Sequence, residues 1–165
     1  MSGATTSATN TARLAALGLE LPPVPAPAAA YVPAVRHGDL IIVSGQLPLA
    51  DGALLATGLV GDGPGEHDVE AAASLARRCG LNVLAAAASV AGGLDAIGSV
   101  LRVGVFVASG DGFTRQHLVA NGASELLAAV LGPGAVHARA AVGVSRLPLD
   151  APVEVEAMLT VAPAA

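Results

Sequence analysis

From Tyr31 to Val161 the apolar positions fall into short strand-like runs and two longer stretches with helical spacing. Residues 31–36 and 39–44 predict two strands joined by a turn at His37-Gly38, and Gly45-Gln46-Leu47-Pro48 closes the second. Residues 51–65 hold five glycines and no helical period, so they are expected as a loop, with residues 53–56 as a short strand. Asp68 is placed to cap a long helix reaching about Ala91, where Gly92-Gly93 stops it. Val69, Ala73, Ala76, Leu84 and Ala88 then share one helix face. Residues 99–109 form a near-continuous apolar strand interrupted by Arg102. Thr114 is the expected cap of a second helix to Leu131, ended by Gly132-Pro133-Gly134. Strands over 137–145 and 152–161 follow, and the Leu147-Pro148-Leu149-Asp150 turn between them suggests a hairpin.

The order β-β-α-β-α-β-β predicts an α+β domain over residues 31–165, with one mixed sheet and two helices packed on one face. Val, Ala and Leu occur on both sides of the strands, yet no third layer remains to cover the second face. An oligomer that buries this face is therefore expected. Residues 1–30 form an extension. Residues 1–9 are small and polar and are expected to be disordered. Asn10 is the expected cap of a short helix over 10–17 that Gly18 ends, and the prolines of 21–27 impose an extended linker.

Composition narrows the chemistry. The 165-residue chain is long enough for one domain with a real core. It is 53% hydrophobic, but much of this is alanine. The most apolar window, residues 81–91, is interrupted by Asn82 and Ser89 and is too short to span a bilayer. With no signal-like N-terminus and the single Cys79, the cytoplasm is the expected compartment. The chain has eight Arg, no Lys and a net charge of -5. Lacking lysine, it can form neither a Schiff base nor a Walker-type phosphate loop. Two Phe, one Tyr and no Trp, on an acidic chain, supply neither the basic groove nor the stacking platform of a nucleic-acid binder. The four histidines show no ligand spacing, so no metal site is expected. Gly61-Asp62-Gly63-Pro64-Gly65 reads as a turn rather than a nucleotide fingerprint, and Cys79 reads as a buried helix residue.

The informative charges lie near the C-terminus. Arg139 interrupts an apolar strand, and Glu154 and Glu156 share one face of the alternating strand that follows. A guanidinium fixed on a strand suits bidentate capture of a carboxylate, so a small-molecule carboxylate is the expected partner. The structural alternative pairs Arg139 with a carboxylate such as Glu156 at the interface. In a hairpin about Leu149, Arg139 would stand opposite roughly Leu159, about 16 Å from Glu154 at strand rise. Such a pair would share a ligand only across a subunit boundary or through an irregular ladder.

Val43-Ser44-Gly45-Gln46-Leu47-Pro48, Asn121-Gly122-Ala123-Ser124, His137-Ala138-Arg139-Ala140-Ala141-Val142-Gly143-Val144, and Leu147-Pro148 leading to Val153-Glu154-Val155-Glu156 resemble, in collinear order, the RidA family, also called YjgF. The chain looks like a longer, divergent branch, often labelled endoribonuclease L-PSP-like. The resemblance implies a chorismate-mutase-like fold, a homotrimer with sites between subunits, and hydrolysis of reactive enamines and imines to 2-oxo acids and ammonia without cofactor or metal. It implies that Arg139 binds the substrate carboxylate and Glu154 positions or activates water. It also implies that Tyr31 lines the pocket, Gly45 offers a backbone contact, and Asn121 belongs to the pocket. The chain departs from the archetype in its extension, its longer loop before the long helix, and Ala141 where a cysteine is common. The readings are an enamine/imine deaminase, a non-catalytic sensor of a carboxylate metabolite, and, disfavoured by the acidic lysine-free composition, a ribonuclease.

Overall fold

In the structure, a computed structural model that describes residues 8–24 and 31–163, strand β1 (Ala34–His37) turns at Gly38, whose φ is 59°, into β2 (Leu40–Gln46). The short strands β3 (Leu49–Ala50) and β4 (Ala53–Leu54) form a separate hairpin. Asp51 and Gly52 turn it with positive φ at both residues, the conformation that two-residue loops favour. Helix α2 (Val69–Ala91) follows a long loop, and β5 (Ile97–Ala108) crosses the whole sheet. Helices α3 (Gln116–Val119) and α4 (Asn121–Leu131) then lead to β6 (Ala138–Val144) and β7 (Val153–Val161).

Capping explains the long helix. The Asp68 carboxylate accepts the Ala71 N–H at 2.8 Å, and Gly92 takes a left-handed conformation at the other end. The second helix differs from expectation. Thr114 lies outside it, Arg115 stands at the N-cap position without a side-chain bond, and Ala120 separates α3 from α4. Residues Gln116–Ala135 have the length and mean hydropathy (1.2) of a membrane span, but half of the stretch is buried inside the domain.

The strands order as β1-β2-β7-β5-β6. The hairpin expected between the last two strands does not form. β7 lies antiparallel between β2 and β5, while β6 pairs in parallel with the far side of β5. The reason lies in burial and connection. Val153, Val155, Ala157 and Leu159 of β7 are buried, which suits a central strand. β6 carries no buried residue, which suits an edge. A parallel β5–β6 pair needs a crossover, and α3 and α4 supply it.

The two sheet faces differ. On one, Val43, Ala157 and Val103 form a buried rung, and Val155 with Val105 and Val153 with Val107 form the next two, beneath α2 and α4. Each fully buried Val or Leu there contributes about 1.5–3 kcal/mol. The helices approach closely: a Cβ on Gly122 would lie 1.9 Å from the Ala73 carbonyl oxygen, and one on Gly80 3.4 Å from Ala123 Cα. On the other face no helix packs among the described residues, and Val35, Ile42 and Val142 are exposed. That face also holds Arg102 and Glu156, paired at 2.8 Å.

The extension's helix, α1 (Asn10–Ala16), docks on this body. Its cap is Thr9, whose hydroxyl accepts the Ala12 N–H. Asn10, the expected cap, instead donates to the carbonyls of Leu94 (3.1 Å) and Ile97 (3.0 Å), and Leu14 is buried in the core. The disorder expected for residues 1–9 and the linker expected over 21–27 fall mostly outside the described residues. Residues 21–24 are not helical.

The long loop is tied down. Val60, fully buried, donates its N–H to the Ala108 carbonyl and accepts the Gly110 N–H, so it extends the end of β5. Glu66 accepts the Gly63 N–H and sits where a Cβ on Gly61 or Gly110 would collide with it. Asp62 pairs with Arg115, whose guanidinium stands 5.4 Å from the Phe113 ring centre.

Candidate functional site

Arg139 ends the rung Val43–Ala157–Val103–Arg139 at the sheet edge, so its side chain turns to the helix face. There its guanidinium meets the α3–α4 junction. Nη1 donates to Asn121 Oδ1 and to Ser124 Oγ, both at 3.0 Å, and Nη2 donates to the His117 carbonyl at 3.1 Å. All three acceptors are neutral. Among the described residues no carboxylate pairs with Arg139, which stays exposed. Within the chain Glu156 pairs with Arg102 rather than with Arg139; the alternative pairing of Arg139 concerns a carboxylate across an interface. The contacts orient the positive fork and leave part of it, with its full charge, for an anion.

Ser124 is bound in turn. Its hydroxyl lies 3.0 Å from His137 Nε2, while His137 Nδ1 faces the Ala135 carbonyl. Sequence reasoning quoted Ser124 within a motif but gave it no role. The signal was present: Asn121 and Ser124 are three residues apart on a helix and therefore share a face.

Glu154 stands elsewhere. It faces Phe106 on the rung that ends at Val142, on the open face of the sheet. Gly45 lies beside it at the irregularity between Val43 and Gln46 in the β2–β7 ladder. A Cβ on Gly45 would come within 1.8 Å of Glu154 Oε1, so the carboxylate occupies the space that the glycine leaves. Glu156 uses Gly104 of β5 in the same way, with its Oε1 2.7 Å from a Cβ built there. Among the described residues nothing hydrogen-bonds the Glu154 carboxylate. Burial pushes its pKa up, and the neighbouring Glu156 charge pushes it further in the same direction. The thiol of Cys79, under the sheet, is pushed well up by burial and then by Glu154, which keeps it protonated and inert.

The five residues singled out in the sequence thus form two groups. Arg139 and Asn121 come together, and so do Gly45 and Glu154. Arg139 and Glu154 do not: they lie on opposite faces, three rungs and two strands apart, or roughly 14 Å between backbones. Tyr31 is exposed ahead of β1. The next residue, Val32, accepts the Ser44 hydroxyl at 2.9 Å, which puts Tyr31 at the Gly45 end of β2. Three cavities, of about 200, 830 and 160 Å³, are lined by other residues. Among the described residues no group of three or more His, Cys, Asp or Glu is placed to hold a metal ion.

Comparison with known proteins places this arrangement among relatives. Residues 23–161 match the family model described as Endoribonuclease L-PSP. Protein TCP17 of Trypanosoma cruzi is 43% identical over 149 residues, covering 90% of this chain and 91% of its own length. A crystal structure of an Agrobacterium tumefaciens protein is 44% identical with a TM-score of 0.82, covering 93% of this chain and 94% of the other. The crystal structure of the YjgF gene product of E. coli is 27% identical with a TM-score of 0.60, covering 93% and 98% of the two chains.

Proposed function

The chain belongs to the endoribonuclease L-PSP family, that of YjgF and RidA, and from this premise we propose that it hydrolyses small 2-imino or 2-enamino acids to 2-oxo acids and ammonia at sites shared between copies of the chain. The observation that carries this reading is the exposed Arg139 guanidinium, oriented by neutral acceptors with no carboxylate partner among the described residues.

Under this reading the two groups are two halves of one site. They face opposite ways within a chain, so Arg139 and Asn121 of one copy meet Gly45, Glu154 and Tyr31 of the next. The exposed Val35, Ile42 and Val142 supply apolar surface for such contacts, and a homotrimer is the proposed assembly.

Arg139 fixes the substrate carboxylate through two parallel hydrogen bonds, which holds the C=N carbon beside Glu154. The substrate reacts as its protonated iminium: water adds its oxygen to that carbon, the C=N π electrons pass to the nitrogen, and Glu154 accepts the proton that the water loses. Glu154 then returns this proton to the nitrogen. The C–N bond breaks as the C=O bond forms, ammonia leaves, and the hydroxyl proton passes to Glu154 and from there to solvent. Burial raises the pKa of this carboxyl, which strengthens it as the proton acceptor of the first step. The Gly45 position lets the carboxylate lie flat against the sheet with no side chain in the way.

The decisive experiment generates 2-imino acids in situ with an amino-acid oxidase and traps the remainder with semicarbazide. The protein is expected to lower the trapped fraction. Mixed oligomers of Arg139→Ala and Glu154→Gln chains, each strongly impaired alone, are expected to regain turnover, because one interface then joins two intact halves. No loss of imine with any substrate, together with measurable carboxylate binding, would favour the sensor reading.

A further inference from the structure

We propose that Ser124 and His137 are positioning residues of the carboxylate site: a relay from the Ala135 carbonyl through His137 and Ser124 sets the direction of the Arg139 fork. This inference rests on the reading of Arg139 as a carboxylate ligand and deepens it. The relay can be read atom by atom. His137 Nδ1 faces the Ala135 carbonyl, an acceptor only, so Nδ1 carries the proton. His137 Nε2 then has only a lone pair to offer. The Ser124 hydroxyl, 3.0 Å away, donates its proton to that lone pair. With its proton committed, Ser124 Oγ turns its own lone pairs outward and accepts Arg139 Nη1–H at 3.0 Å.

The consequence is directional. An isolated serine rotates freely and offers either a proton or a lone pair to its neighbour. Here the imidazole removes that choice, and the oxygen always presents an acceptor to the guanidinium. Asn121 Oδ1 holds the same nitrogen from the other side at 3.0 Å. Nη1 is thereby spent on the protein, and the fork is turned to offer its remaining N–H groups to an anion. All three elements converge by tertiary packing. Ser124 comes from α4, His137 from the segment before β6, and Arg139 from β6 itself.

The test measures pyruvate binding by calorimetry and imine turnover for Ser124→Ala, His137→Phe, His137→Gln and the double variant S124A/H137F, with Arg139→Ala as reference. S124A and H137F are each expected to raise the pyruvate Kd and the KM about fivefold, the effect of one misdirected hydrogen bond, with kcat unchanged. His137→Gln keeps an acceptor near the Nε2 position and is expected to restore Kd to near the unaltered value. Because the relay is serial, S124A/H137F is expected to bind no worse than S124A alone. In the unaltered protein, nitrogen NMR is expected to show the His137 proton on Nδ1. Unchanged Kd in S124A and H137F, additive losses in the double variant, or a proton found on Nε2 would overturn the relay. If Arg139→Ala itself binds pyruvate undiminished, the carboxylate site fails and the relay with it. Loss in R139A beside no change in S124A defeats the relay alone.

Discussion

Two carboxylate- and guanidinium-bearing regions of one sheet are treated in opposite ways by the fold. Around Arg139 every contact is a neutral acceptor, supplied by the α3–α4 junction. Around Glu154 no hydrogen-bond partner is supplied among the described residues; glycine makes room, and burial and the Glu156 charge resist ionisation. The first arrangement suits holding a charge still, because a guanidinium never loses its proton and only its direction needs control. The second suits moving a proton, because burial raises the pKa of the carboxyl and makes it a stronger proton acceptor. Under the proposed function, binding and proton transfer call for opposite surroundings, and the two groups lie on opposite faces of the sheet.

This contrast can be broken most severely at its charged ends. Arg139→Ala is expected to lower kcat/KM about a hundredfold or more, the loss of charge-assisted hydrogen bonds, while the proposed oligomer, followed by light scattering, stays intact. Full activity in that variant would end the assignment. Glu154→Gln is expected to lower kcat by about a hundredfold and to leave KM within about threefold. A parallel fall in binding would mean that Glu154 holds substrate rather than moving protons.

The same substitution reads the surroundings of Glu154 through stability. Its pKa is raised on folding, so the stability tied to its proton is full below the unfolded carboxylate pKa and is lost as pH rises through the folded value. Ionised Glu154 therefore burdens the fold at neutral pH. Glu154→Gln is expected to raise Tm slightly at pH 7, and the gain should vanish in acid. A uniform gain at all pH values would point to packing instead.

Gentler changes sharpen the comparison. Gly45→Ala collides only with the flexible end of Glu154, so it should turn the carboxylate aside. The expected result is a loss of about tenfold in kcat with Tm nearly unchanged, about the effect expected of a misplaced proton acceptor. A large fall in Tm would show that the glycine serves the strand rather than the carboxylate. The smallest effect is expected for Glu156→Gln. It removes the like charge while keeping an acceptor for Arg102. The Glu154 pKa should drop, and the acid limb of the pH–rate profile should move to lower pH.

Much of this was legible along the chain. The Asp68 cap, the Gly92 stop, the strands about Gly38 and Ser99–Ser109, and the motifs carrying Arg139, Asn121, Gly45 and Glu154 are local signals, each arising from a few neighbouring residues. The three-residue spacing of Asn121 and Ser124 on one helix was also there to be read, although the sequence reading gave Ser124 no role. The partner of each strand was a different matter. The final two strands looked like a hairpin because the connection between them is short, yet β5 lies between them. Strand pairing is settled by burial competition across the whole sheet, and a run of apolar residues does not state which edge it will occupy. Likewise Asn10 looked like a cap, but distant carbonyls at Leu94 and Ile97 claimed its amide. Residue chemistry and local conformation were therefore set by the sequence alone, since backbone sterics and side-chain type act at short range. Only the tertiary structure decided that Arg139 and Glu154 look away from each other, because the face and rung of a side chain follow from which strands pair.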